Sequence, residues 1–184
     1  MKIIAVIGSP RADSASTKVV ESILDGAKEA GHDISVYRIN EMNVRGCQGC
    51  RSCKENGTDC VLDDDLKPYW QELHACDVLI VSAPNYCSQV CGPMITYMNR
   101  HYCIMDKNFQ TTLEPGKTKL IGVFAQGGPV EEGNQADKNY DWFLGDFQAR
   151  KMVLLRKIVV SSRTDLSEGS AVLADAYALG KSLG

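Results

Sequence analysis

Cys47, Cys50, Cys53 and Cys60 place four of the chain's eight cysteines in the run CQGCRSCKENGTDC, with spacing C-x2-C-x2-C-x6-C. Three cysteines at short equal intervals are a pattern by which thiolates converge on a [4Fe–4S] cluster from one compact loop. Gly46, Gly49 and Gly57 let such a loop turn without side-chain obstruction. Structural zinc fits less well, because its sites usually pair two C-x2-C knuckles across a longer separation. Free or redox-active thiols are a third use of the same residues.

A second group of chemically capable residues follows the first apolar run. In GSPRADSAST, Ser9, Ser14, Ser16 and Thr17 supply hydroxyl donors, and Arg11 supplies a cationic fork. Backbone amides at a helix start point at whatever lies before them and favour an anion, so the stretch reads as a phosphate cradle. A serine-rich helix cap is the plainer use of the same residues. No G-x-G-x-x-G follows the run, and the GKT at 116–118 has Thr111 where a Walker A motif needs glycine. The loop also has no cysteine that could serve as a phosphatase nucleophile.

Buried strands are predicted at 2–8, 34–39, 77–84, 119–128 and 156–162, where apolar residues run almost without interruption. Between them, helical spacing predicts helices at 16–30, at 68–74 with Asp63 to Asp65 as caps, at 89–105 and at 134–151, with an amphipathic segment closing the chain. Strands alternating with helices imply a parallel sheet covered on both faces. Ligands in such sheets bind at the carboxyl ends of the strands, so the loops to watch are 8–17, 83–90 and 125–130. No repeat or linker interrupts the pattern, and the expectation is one domain over 1–184 with a cysteine-rich loop at 46–61.

The chain has 184 residues, 44% hydrophobic content and a formal charge of −3. That balance points to no nucleic-acid partner and no anionic membrane surface. No apolar run approaches the ~20 residues that span a bilayer. The N-terminal apolar stretch leads straight into a glycine turn and is too short for an export signal, so a cytoplasmic location with reduced thiols is expected. Cys76, Cys87, Cys91 and Cys103 read as small hydrophobes in apolar or helical surroundings. Arg100 and His101 read as cations serving the terminal carbonyls and dipole of a helix. Trp70, Tyr140, Trp142 and Phe143 suit either the core or an interface or lid.

GSPR…ST after the first strand, SAPNYCSQVCGPMITYMNR after the third and FAQGG after the fourth resemble the NADPH-dependent FMN reductase and iron–sulfur flavoprotein group of the flavodoxin superfold. The resemblance covers roughly residues 1–130. It implies a flavodoxin-like α/β fold, a five-stranded parallel sheet in order 2-1-3-4-5. It also implies that Ser9, Arg11, Ser16 and Thr17 grip an FMN phosphate, and that Pro84, Asn85, Tyr86, Cys87 and Ser88 lie along the isoalloxazine. Gln126, Gly127 and Gly128 match a third contact loop. Cys47, Cys50, Cys53 and Cys60 match, in order and location, the cluster ligands of iron–sulfur flavoproteins. The chain departs from the group in a phosphate loop one residue longer than the commonest form, and in Asn85 where an aliphatic residue is more usual.

The function so implied is FMN-dependent oxidation of NAD(P)H, with electrons passing to a small-molecule or protein acceptor and the chain assembled as a homodimer or homotetramer. No general acid or base is assigned. Two alternatives are a flavodoxin-like carrier docking with ferredoxin-type partners, which would not oxidise NAD(P)H in steady state, and a cysteine-loop metal or redox sensor, which would have no use for a phosphate cradle.

Overall fold

The computed structural model describes residues 1–184. Ile3, Ile4, Ala5, Val6 and Ile7 all have no exposed surface in β1 (Lys2–Ile7), because helices cover both faces of the sheet there. The other strands are β2 (Asp33–Arg38), β3 (Val78–Tyr86), β4 (Gln89–Val90), β5 (Lys119–Gln126) and β6 (Val153–Ser161). The long strands run parallel in the order β2-β1-β3-β5-β6, and β4 pairs antiparallel with β3 alone. The expected five-strand order is thus followed by the long strands, while the count of five is corrected to six.

The sixth strand arises where the sequence predicts the start of a helix. Asn85 pairs with Val90 and Tyr86 with Gln89 across a two-residue turn. Cys87 and Ser88 in that turn have φ of 52° and 61°, the positive values that a tight hairpin needs at both central positions. The helix begins only after the hairpin, with Pro93 in its first turn, and closes in a 3-10 turn over His101–Ile104.

The helices are α1 (Ala15–Glu29), α2 (Ser52–Asn56), α3 (Lys67–His74), α4 (Gly92–Arg100), α5 (Gln135–Ala149) and α6 (Ala171–Lys181). Ile3, Ala5 and Ile7 pack with Val19, Val20 and Ile23 of α1 and Ala176 of α6. The alternate residues Ile4 and Val6 belong to a larger cluster with α3, α4 and α5. Each of the buried isoleucines and valines contributes about 1.5–3 kcal/mol on burial, which makes these two layers the main source of stability. α1 and α6 meet backbone to backbone. A methyl group at Gly180 would lie 1.9 Å from the Ile23 carbonyl oxygen, and one at Gly26 would lie 2.1 Å from that of Tyr177.

Several sequence expectations are corrected in detail. The N-cap of α3 is Leu66 with no side-chain cap, and Asp64 turns inward instead, its Oδ1 accepting the Leu66 amide at 3.2 Å. His101 carries no charge for the end of α4, because it is fully buried. Its Nδ1 donates to the Tyr97 carbonyl at 3.1 Å, which leaves Nε2 to accept from the Tyr69 hydroxyl at 2.8 Å. Trp70, Tyr140 and Phe143 are core residues, whereas Trp142 is exposed. Cys87 is exposed at the hairpin tip rather than apolar, and all eight cysteines are free thiols. No helix is long and apolar enough to cross a membrane.

Candidate functional site

β1, β3 and β5 are neighbours, with Ile7 opposite Ser82 and Pro84 opposite Ala125. The loops that follow them therefore leave one edge of the sheet side by side. The chain crosses to opposite sides after β1, toward β2 and then β3, which makes this edge the switch point where such sheets bind ligands.

In the first loop Ser9, Ser14, Ser16 and Thr17 are buried and Arg11 is exposed. Ser14 is the N-cap of α1, its Oγ accepting from the Thr17 amide at 3.2 Å. The same hydroxyl lies 2.8 Å from Thr17 Oγ1 and 3.4 Å from Ser16 Oγ. Ser9 Oγ accepts the Arg11 amide at 3.2 Å, which curls the loop back on itself. The cap takes only one first-turn amide, so the helix start keeps N–H groups free for an anion. Cap and cradle are thus the same residues.

The second and third loops line a common cleft of about 350 Å³ that includes Asn85, Ser88, Gln126, Gly127 and Gly128. Its far wall is the start of α5, with Asn134 capping the Asp137 amide at 2.9 Å. Gln126 is oriented by the Tyr140 hydroxyl, which donates to its Oε1 at 2.9 Å, and Tyr140 stacks on Phe124 with ring centroids 4.3 Å apart. Sequence reasoning missed Asn134, for which the N-Q-A-D capping pattern at 134–137 was the available signal, and read Tyr140 only as a core, interface or lid residue. Tyr86 is 52% exposed and does not line the cleft. Pro84 and Cys87 do not line the cleft.

The cysteine loop is held by its stalks. Asn43 and Arg45 donate their amides to Asp65 Oδ2 at 2.6 Å and Asp64 Oδ2 at 3.1 Å. Between the stalks, Gly49 and Arg51 both adopt left-handed backbone, with φ of 63° and 61°, and α2 follows. Lys54 anchors α2, donating to the carbonyls of Tyr102 and Met105 and lying 4.0 Å from the Tyr102 ring centroid. Cys47, Cys50, Cys53 and Cys60 all line one apolar cavity, whose wall also includes Cys103 and Arg100. Burial pushes the Cys103 thiol up to about 12, so it stays protonated as packing.

Arg100 does not serve the end of α4 as the sequence suggested. With both side chains fully buried, its Nη1 and Nη2 bond Asp64, and Nη1 also donates to the Arg45 carbonyl at 2.7 Å. One guanidinium thus ties together both flanks of the cysteine loop. Burial opposes charge on both partners, but the mutual bonds win: the Asp64 carboxyl is held below and the Arg100 guanidinium above its ordinary pKa. Arg100 Nε is buried with no acceptor. An unpaired buried donor typically costs about 1–3 kcal/mol.

This architecture is flavodoxin-like. An archaeal flavodoxin superposes with a TM-score of 0.57 at 14% identity, over 98% of this chain and 94% of that one. The NAD(P)H:quinone oxidoreductase of Methanothermobacter marburgensis superposes with a TM-score of 0.78 at 18% identity, over 100% of this chain and 99% of its own. Identities this low establish the fold alone. Residues 1–161 match the family described as NADPH-dependent FMN reductase, and the chain belongs to that family of oxidoreductases. The iron-sulfur flavoprotein of Methanosarcina thermophila is 30% identical over 128 residues, which is 70% of this chain and 66% of the relative. The chain therefore spans slightly less than two thirds of that relative's length.

The residues present fit FMN in kind. The first loop offers buried hydroxyls, an exposed arginine and a helix start. The cleft offers Asn85, whose Nδ2 is buried with no acceptor in the chain. The cysteine loop fits an iron–sulfur cluster by donor type, donor number and common cavity. In the present arrangement no three metal-binding side chains stand close enough to hold an ion.

Proposed function

We propose that this protein is an FMN-dependent oxidoreductase that oxidises NAD(P)H and delivers the electrons to a small-molecule or protein acceptor, and that its cysteine loop would hold a [4Fe–4S] cluster. The observation that carries the reading is the joint placement, on one chain, of three ligand loops at one sheet edge and four cysteines around one cavity. Residues 1–184 act as a single FMN-binding domain with its cysteine loop at 46–61. We assign a homodimer or homotetramer in the cytoplasm as the working form.

Ser9, Arg11, Ser14, Ser16 and Thr17 would hold the FMN phosphate, Ser14 by shaping the loop and the others by donating to it. Pro84 to Ser88 would lie along the flavin ring, with the Tyr86 ring as its apolar contact and Asn85 Nδ2 as a donor. Gln126, Gly127 and Gly128 would face the ring's polar edge, where glycine allows close backbone approach. Bound FMN supplies two-electron chemistry with nicotinamide and one- or two-electron chemistry with acceptors. Cys47, Cys50, Cys53 and Cys60 would ligate the cluster, which supplies one-electron exchange.

The visible spectrum of protein purified without oxygen, before and after dithionite, tests the whole reading. Two flavin maxima over a broad thiolate-to-iron band are expected. A flavin spectrum that gains no such band even after treatment with iron and sulfide would remove the cluster, and absence of flavin would remove the reading.

Two substitutions test its parts. Ser9→Ala with Arg11→Ala is expected to weaken FMN binding by about 2–4 kcal/mol, roughly 30- to 700-fold, through loss of a charge-assisted bond and a hydroxyl. Fluorescence titration of the apoprotein measures this, and an unchanged affinity rejects the phosphate assignment. Cys50→Ser is expected to abolish bound iron and leave FMN content intact, because the two sites share no residue. Iron assay beside flavin extraction decides the matter, and retained iron would place the ligands elsewhere.

A further inference from the structure

We infer that Arg100 is a positioning residue for the cluster, donating its Nε–H to the sulfur of Cys60 and thereby raising the cluster's reduction potential. The inference rests on the reading of Cys47, Cys50, Cys53 and Cys60 as ligands.

A guanidinium carries five N–H donors in a rigid plane. In Arg100 the two terminal nitrogens serve Asp64 and the Arg45 carbonyl. The third nitrogen, Nε, has no acceptor although the side chain is fully buried. Arg100 lines the same cavity as the four cysteines, and Cys60 is the one of the four whose charge acts on the guanidinium. A neutral thiol is a weak acceptor, whereas a ligand thiolate is a strong one. The orphaned donor therefore finds its partner when Cys60 is a metal-bound thiolate.

The consequence is electrostatic. A one-electron reduction adds a negative charge to the cluster and its sulfurs, and no proton need move. An N–H aimed at a ligand sulfur stabilises that added charge, and hydrogen bonds to the sulfurs are among the controls of cluster potential. Asp64 offsets the net charge of the guanidinium, so the directed Nε–H dipole, rather than the cation as a whole, makes the difference at Cys60. The same contacts hold the loop's two flanks, which fixes where Cys60 stands.

Arg100→Lys separates these effects, because lysine keeps the cation for Asp64 and removes the Nε donor. Wild type and variant would be reconstituted anaerobically with ferrous iron and sulfide, and both midpoint potentials read by EPR- and absorbance-monitored titration. We expect iron content and the FMN potential to hold and the cluster potential to move negative; a tenfold loss of preference for the reduced state reads as about 59 mV in a one-electron couple. Full iron content with an unmoved cluster potential overturns the inference and leaves the cluster itself standing. A wild-type protein that takes up no iron overturns the cluster reading, and the role of Arg100 falls with it.

If the variant fails to fold, wild-type protein labelled with guanidino-15N arginine gives the answer directly. Pulsed EPR of its reduced cluster should show a 15N coupling, and its absence rejects the Nε–H···S contact. A purely structural arginine would lower melting temperature or iron content without producing either signature.

Discussion

Asp64→Ala is expected to destabilise the fold by about 3–5 kcal/mol, the range seen when one partner of a buried ion pair is removed. The Asp64 and Arg100 side chains are both fully buried. Without the carboxylate, the guanidinium keeps only the Arg45 carbonyl, at 2.7 Å, as an identified partner. The amides of Arg45 and Leu66 lose their acceptor in the same step. Urea unfolding of the variant measures the loss, and Asp63→Ala is the control. Asp63 pairs with Lys67 in solvent, 3.0 Å apart and largely exposed, so its removal should barely move the midpoint. Equal effects at the two positions would show that the buried pair contributes no more than a surface one. The variant should also exchange the amides of Asn43 to Arg45 faster, because the stalk of the cysteine loop is released.

Acidification from about pH 7 to about pH 5 is expected to cost about 2 kcal/mol of stability through His101 alone. Burial is the main cause that pushes its pKa down to about 3, and the positive charges of Arg150 and Arg100 add to the shift. The neighbouring elements face the ring with the hydroxyls of Tyr69 and Tyr97 and the indole of Trp70, none of which carries charge at these pH values. An unfolded histidine takes its proton near pH 6.5, so the unfolded state binds more protons than the folded state between that value and about 3. The stabilising effect of the neutral ring is complete above pH 6.5 and is lost progressively as pH falls. Asp64 does not confuse this window, since its depressed pKa matters only below the ordinary carboxylate range. Urea midpoints at the two pH values check the effect, with His101→Gln as comparison. The variant should be less stable near neutrality yet flatter with pH; equal slopes for both proteins would mean that His101 is not the group responsible.

Much of the ligand edge was legible because parallel topology is a local matter. A continuous apolar run buried on both faces, a turn and an amphipathic helix together define a βαβ unit, and such units place their loops at one edge whatever the packing details. Ser9, Arg11, Ser16, Thr17, Asn85, Gln126 and Gly127 could therefore be assigned to that edge from sequence order. The four cysteines were legible for a similar reason: thiols within one short loop must share a neighbourhood.

Other features depend on contacts between distant parts of the chain. Gln89 and Val90, the returning strand of the hairpin, were read as the start of a helix because neither Cys87 nor Ser88 is the glycine or asparagine that usually marks a turn with positive φ. Arg100 and Asp64 lie 36 residues apart in sequence, and nothing in either local stretch shows that α4 presents one to the other. A cation near a helix end commonly serves that end's carbonyls and dipole, so this reading missed the burial of both Arg100 and His101. Nothing in the local sequence around Gly26 or Gly180 marks them as the positions where α1 and α6 touch through their backbones. The sequence by itself determined the parallel α/β order, the loop edge and the grouping of thiols, all set by local period and spacing. Tertiary structure alone decided which charges are buried, which donor is left unpaired and which backbones meet, because burial is a property of the assembled layers.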